Sequence, residues 1–180
     1  MFQSLRRLRQ RRETIDRLYG LIVAQARTPA FYADLGVPDT ISGRFDMMVL
    51  HVYLVYRRLA SESGTRGAGQ ELFDRFCADM DGTLRERGVG DLAVPRKMRA
   101  IGEAFYGRAQ VYDAALAAPD DAALGAALEK NVFGEASGLA AGARGLAAYV
   151  RRTEAVLKQL GAEAIVGGSL VFPEPAGANT

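Results

Sequence analysis

The side chains with chemistry to offer in this 180-residue sequence are one histidine, one cysteine and a loose set of aspartates. Cys77 falls on an apolar helical face, where a thiol is a buried structural group rather than a nucleophile. A single cysteine excludes a disulfide within the chain, and with one histidine beside it a zinc site lacks ligands. His51 lies two turns after Arg44, with Met47 and Met48 between them. A lone histidine on an apolar face is read first as a satisfied structural group and second as a partner contact. Haem ligation by it has no motif behind it. Asp34, Asp39 and Asp46 are the local carboxylate group. Paired carboxylates do acid–base work only where their surroundings split their pKa values, and Asp34 and Asp39 sit where turns and caps use aspartate. Ser63 to Gly69 is glycine-rich but lacks the Gly-Lys-Ser/Thr that a phosphate loop needs. No catalytic residue, metal or cofactor is assigned.

Charge is the stronger signal. The chain carries 23 Lys and Arg against 21 Asp and Glu, a net +2. The first 17 residues hold six arginines (Arg6, Arg7, Arg9, Arg11, Arg12 and Arg17) against Glu13 and Asp16, a balance of +4 that leaves −2 for the rest. A basic arm on a near-neutral body suggests an anionic partner: lipid headgroups, RNA or an acidic protein face. Met1, Leu5 and Leu8 can share one side of a helix, with Arg6, Arg7, Arg9, Arg11 and Arg12 free for electrostatic docking. The competing reading is a solvated face that packs on the body. Leu18 to Val23 followed by Ala24-Gln25-Ala26 resembles a cleavable signal, but the apolar stretch is short and acids interrupt the basic region. It is read as the end of the first helix. No apolar run approaches the ~20 residues of a membrane span.

Positioning these residues falls to helices. Leu8, Ile15, Leu18 and Ile22 recur at helical spacing and predict a first helix over Ser4–Arg27, ended by Thr28-Pro29. Phe31-Tyr32 follows in a short turn or helix. Asp39, Thr40 or Ser42 is expected to cap a second helix over Gly43–Ala60. That helix is apolar nearly all round and is therefore expected at the centre of a bundle. A polar linker over Ser61–Gly69 precedes a third helix, Gln70–Arg87. A fourth, Pro95–Ala118, contains Gly102 and Gly107, where close helix contact is expected. A fifth begins at Pro119-Asp120-Asp121, and a last runs over Gly138–Leu160. Ile165–Phe172 is expected as a short extended piece, and Pro173–Thr180 as disordered. The fold class is all-α: a single-domain bundle of about six helices with a short non-helical C-terminal tail. A basic arm over 1–12 and a tail over 161–180 flank a helical domain over 13–160.

The stretch Phe31-Tyr32-Ala33-Asp34-Leu35-Gly36-Val37-Pro38-Asp39-Thr40 and its continuation Gly43-Arg44-Phe45-Asp46-Met47-Met48-Val49-Leu50-His51 resemble the ubiquinol–cytochrome c chaperone family. So do Ala104-Phe105-Tyr106-Gly107-Arg108 and Asn131-Val132-Phe133-Gly134, and the likeness covers roughly residues 13–160. The resemblance implies an all-α, non-catalytic chaperone. Mitochondrial members bind newly made cytochrome b, act with a small partner protein and associate with the mitochondrial ribosome. This chain lacks their added presequence and long hydrophobic anchor, which points to a bacterial member. The expected place is the bacterial cytoplasm, peripheral on the inner membrane, or the mitochondrial matrix in a eukaryote.

The expected function is therefore assembly of ubiquinol–cytochrome c reductase by binding cytochrome b, with the ribosome or an anionic membrane surface as further partners. Two readings of other classes stay open: a helical enzyme on an isoprenoid or quinone-like substrate, and an RNA- or ribosome-binding module. Asp34, Asp39, Arg44, Asp46 and His51, which match the family's block, are expected to organise one corner and to contribute to partner binding.

Overall fold

The computed structural model describes residues 2–134 and 140–175. Among them the chain forms eight α-helices and one π-helical turn. They are α1 (Phe2–Ala26), α2 (Pro29–Ala33), α3 (Ile41–Ala60), α4 (Arg66–Glu86), α5 (Val94–Ala117), α6 (Ala122–Leu128), the π turn (Glu129–Phe133), α7 (Ala140–Leu160) and α8 (Ala162–Val166). The six expected helices correspond to α1, α3, α4, α5, α6 with its π continuation, and α7. α2 is the short helix expected at Phe31-Tyr32, and α8 is an addition; both are single-turn pieces. No helix among the described residues is long and apolar enough to cross a membrane.

The all-round apolarity of α3 puts it at the centre. Met47 through Val55 are all buried, and α3 touches α1, α4, α5, α7 and the π turn. Thr40 caps it, accepting a hydrogen bond from the Gly43 amide at 3.1 Å. Of the three candidate caps Thr40 holds the position, with an extended backbone that aims its hydroxyl at the free first-turn amides. Asp39 turns outward instead. Chain entry is tight: a Cβ on Gly43 would stand 2.0 Å from the Pro38 carbonyl oxygen, so only glycine fits.

α1 runs parallel to α4. Three polar contacts mark the register in order along both helices: Arg11 to Glu71 at 2.7 Å, Arg75 to Asp16 at 2.8 Å, and Tyr19 to Asp79 at 2.9 Å. Beneath them Ile15, Leu18 and Ile22 enter the core. An aromatic cluster of Phe73, Phe76, Phe105 and Tyr56 joins α4, α5 and α3, with Phe73 and Phe105 ring centres 4.8 Å apart.

Three local expectations are corrected. Gly102 and Gly107 mark no close helix contact, since a Cβ at either would meet nothing within 4 Å. Close approach occurs instead on α7, where a Cβ on Gly142 would overlap the Leu35 carbonyl oxygen and one on Gly145 would stand 2.7 Å from a Leu35 methyl. α4 begins at Arg66, inside the expected linker. Ile165 lies in a helix rather than an extended piece. Gly161, at φ +75°, breaks α7 and restarts the chain as α8, which buries Ala162 and Ile165. Leu170 then packs into the same core as α1, α3 and α7.

Candidate functional site

The residues expected to form one corner occupy separate environments. Asp39 and Arg44 pair at 2.6 Å on the surface, both more than half exposed. Each strengthens the other's charged form: the hydrogen bond from Arg44 lowers the Asp39 carboxyl, and Asp39 raises Arg44. Asp34, the residue that ends α2, has an exposed side chain. Asp46 lies one turn into the protein and is buried. Arg108 of α5 donates to it at 2.6 Å, and Ser42 approaches at 3.5 Å. Burial dominates over the attraction of Arg108, so the Asp46 carboxyl is pushed up to about 6.

His51 is fully buried and offers no surface to a partner in this arrangement. Its Nδ1 lies 2.8 Å from the Met47 carbonyl and its Nε2 2.9 Å from the Tyr149 hydroxyl. A carbonyl only accepts, so Nδ1 carries the proton and Nε2 accepts from Tyr149. Gln25 in turn donates to the Tyr149 hydroxyl at 3.1 Å. The chain Gln25–Tyr149–His51–Met47 thus ties α1, α7 and α3 together. Burial pulls the imidazole down to about 4 and keeps it neutral. Phe31 and Phe172 meet its ring edge-on at 5.3 and 5.5 Å. The histidine is a core strut.

Sequence reasoning misses two of these partners, Arg108 and Tyr149, and one of them has a signal. Ile101, Phe105, Arg108 and Tyr112 follow helical spacing, so Arg108 is a charge on the inward face of α5 and needs a buried acid. Tyr149 carried no comparable mark. Arg108 stacks its guanidinium 5.7 Å from the Phe45 ring centre, and its Nη1 is buried without a partner among the described residues. Around this pair Gly43, Arg108 and Asn131 line a polar hollow of about 400 Å³. Three separate stretches that carry the family resemblance therefore meet at the first turns of α3.

Beside that hollow, sharing Ser42 with it, lies an open groove of about 700 Å³. Its apolar lining is Ile41, Phe45 and Met48 of α3, Met80 and Leu84 of α4, and Ile101 of α5. Ile41 is 67% exposed at the mouth of this groove. Arg27, Arg44 and Arg87 stand around the apolar lining, where α1 and α4 end and α3 begins. Arg27 and Arg87 make no ion pair among the described residues. Asp79, the acid in this groove, is already engaged by Tyr19 at 2.9 Å and lies 3.7 Å from Arg75. Methionine side chains lining a groove adapt to irregular apolar partners.

The basic arm is continuous with α1. Arg6, Arg9 and Arg12 are exposed. Arg9 pairs with Glu13 at 2.9 Å, and Arg11 is tied to Glu71 of the body. The side chains of Met1, Leu5, Arg7 and Leu8 lie outside the described residues.

By fold and site this is an all-α bundle with an open apolar groove bordered by arginines. The ubiquinol-cytochrome C chaperone family matches residues 33–172, and the chain belongs to that family. Its structure is similar to the crystal structure of the Cbp3 homolog from Brucella abortus, with 37% identity, 97% of each chain covered and a TM-score of 0.86. No curated protein matches the sequence.

Proposed function

We propose that this protein is a chaperone for the assembly of ubiquinol–cytochrome c reductase that binds newly made cytochrome b without catalysing a reaction. Family membership supports the assembly role. The observation that carries client binding is the groove between α3, α4 and α5. A membrane protein newly made presents apolar helices that need cover, and a concave apolar surface with adaptable methionines suits them. RNA would call instead for several stacking aromatic side chains along a basic track, whereas Phe45 is the one aromatic side chain in this lining.

The test is capture of pulse-labelled cytochrome b by the tagged chain in its own cells. Ile41→Asp and Met80→Asp variants are compared with wild type. Recovery by wild type and its loss in the variants supports the reading. No recovery by wild type contradicts it.

The same reading gives Arg6, Arg7, Arg9, Arg11 and Arg12 a role in docking to an anionic surface, ribosome or bilayer, where cytochrome b is made. It places the chain on the cytoplasmic side of a bacterial inner membrane, or in the matrix of a mitochondrion. Arg9 at 84% side-chain exposure supports this, whereas the Arg11–Glu71 bridge supports packing of the arm on the body. Attraction of ~1 kcal/mol per basic residue near an anionic surface makes such docking reversible. Cosedimentation with anionic liposomes and with ribosomes over a salt series tests it. Glutamine at all five positions should abolish salt-sensitive binding, and equal binding by both proteins removes the docking role.

A further inference from the structure

We infer that the groove between α3, α4 and α5 selects an apolar helix flanked by carboxylates, with Arg27 and Arg87 reading the acidic flank. The inference rests on the client-binding reading of this groove and adds what the client segment must look like. Three features carry it. The floor is apolar, with Phe45, Met48, Met80 and Leu84 only partly covered by the rest of the fold or lying just beneath its surface. The rim is cationic, and its positive charge is unspent. Arg44 is neutralised by Asp39, but Arg27 and Arg87 have no acid of their own among the described residues, and Asp79 is held by Tyr19 beside Arg75. Burial and the neighbouring Asp79 raise the Tyr19 hydroxyl well above its ordinary range, so it stays a donor to that carboxylate.

The third feature is shape. Arg27 follows the last residue of α1, and Arg87 follows the last residue of α4. Both therefore stand at the end of the bundle where α3 starts, while Ile101 lines the groove from α5. A helix laid in this groove sets residues at three- and four-residue spacing on the floor and brings one flank to the end where the two arginines stand. A flat bilayer cannot reach a concave floor in this way. Charge at the rim sets partner choice and register more than raw affinity, so the arginines act as a filter on which apolar helix is accepted.

The experiment uses the full chain and three fluorescent helical peptides of one apolar pattern. The first carries Glu on its flanks, the second Lys at the same positions, and the third is a scramble of the first. Anisotropy at low salt should show the Glu peptide binding about tenfold tighter than the Lys peptide, the scale of two exposed ion pairs replaced by two repulsions. Arg27→Glu with Arg87→Glu should reverse that preference, so that the Lys peptide binds better. Because both side chains are exposed, the double variant should keep the wild-type circular dichroism spectrum and melting curve. Ile41→Asp should weaken both flanked peptides. Equal affinity for the Glu and Lys peptides, or a preference unmoved by the double charge reversal, overturns the inference. Displacement of the Glu peptide by anionic vesicles at matched charge, or its displacement by self-association of the chain, overturns it too, and assigns the groove to lipid or to a second copy. Capture of cytochrome b separates this idea from the chaperone reading. Undiminished capture by the double variant removes the acidic-flank filter and leaves the chaperone role standing. Failure of capture by wild type, with peptide selectivity intact, removes cytochrome b as client and leaves the groove chemistry standing.

Discussion

Removing one oxygen tests the internal strut. Tyr149→Phe keeps the ring, the volume and the edge-on contact with Phe31, whose ring centre is 4.8 Å away. It deletes only the hydroxyl that donates to His51 Nε2 and accepts from Gln25. His51 is 0% exposed, so water cannot replace the donor without opening the core. Gln25 keeps a second acceptor, the Pro173 carbonyl at 3.3 Å, so its loss is partial. The penalty is therefore that of one buried, unsatisfied acceptor, about 1–3 kcal/mol, with no cavity term to add. For a domain of this size that is a fall of about 3–10 °C in Tm. Urea unfolding followed by far-UV circular dichroism measures it, with the slope unchanged because the fold and its buried surface are unchanged. His51→Gln, which can still donate to Met47 and accept from Tyr149, should cost less than His51→Leu. A loss below about 0.5 kcal/mol for Tyr149→Phe would refute the strut, since an unpaired buried acceptor cannot be that cheap.

Stability against pH should show two opposing buried groups. Asp46, raised to about 6 from 3.8, keeps a proton in the folded state that the unfolded chain has lost, so its contribution falls as pH rises from about 4 to 6. His51, lowered to about 4 from 6.5, refuses a proton that the unfolded chain takes up, so its contribution falls as pH drops from 6.5 towards 4. Asp46→Asn should therefore steepen the acid loss, and His51→Gln should flatten or reverse it, each by at most about 1.4 kcal/mol per pH unit; urea titrations between pH 4 and 7 read both slopes. Gly43→Ala should destabilise by well over about 1 kcal/mol, because its Cβ would overlap the Pro38 carbonyl at 2.0 Å. Gly107→Ala, exposed and unobstructed, should gain up to about 1 kcal/mol in the same unfolding assay. Thr40→Ala should cost about 1 kcal/mol through loss of the α3 cap, seen as a lower urea midpoint.

The centrality of α3 was legible because a helix apolar on every side has nowhere else to go, and Met47 through Val55 are indeed all buried. Its cap was legible to within three residues, because aspartate, threonine and serine serve that position about equally well. The split among Asp39, Asp46 and His51 was not. All three lie on one helix or its entry, and which of them turns inward depends on what α5 and α7 bring from 62 and 98 residues away. Arg108 was within reach through its place on the inward face of α5, whereas Tyr149 was not, since a buried tyrosine and an exposed one look alike in sequence. The groove was invisible for a related reason. Ile41, Met80 and Ile101 each fit the core pattern of their own helix, and only the packing shows that their apolar surface is left over. Glycine misled twice, at Gly102 and Gly107, because a tolerated glycine on an open helix face has the same one-letter form as a required one.

Client contact at the groove is the central claim, and site-specific photocrosslinking tests it most directly. A photoreactive phenylalanine placed at Ile41, exposed at the mouth of the groove, is compared with one at Val111, exposed on α5 outside the groove lining. Both proteins are expressed in the native cells during pulse labelling and irradiated before lysis. The account predicts a crosslinked product containing newly made cytochrome b from position 41 and none from position 111. Equal products from both positions, or a product from 111 alone, would contradict it.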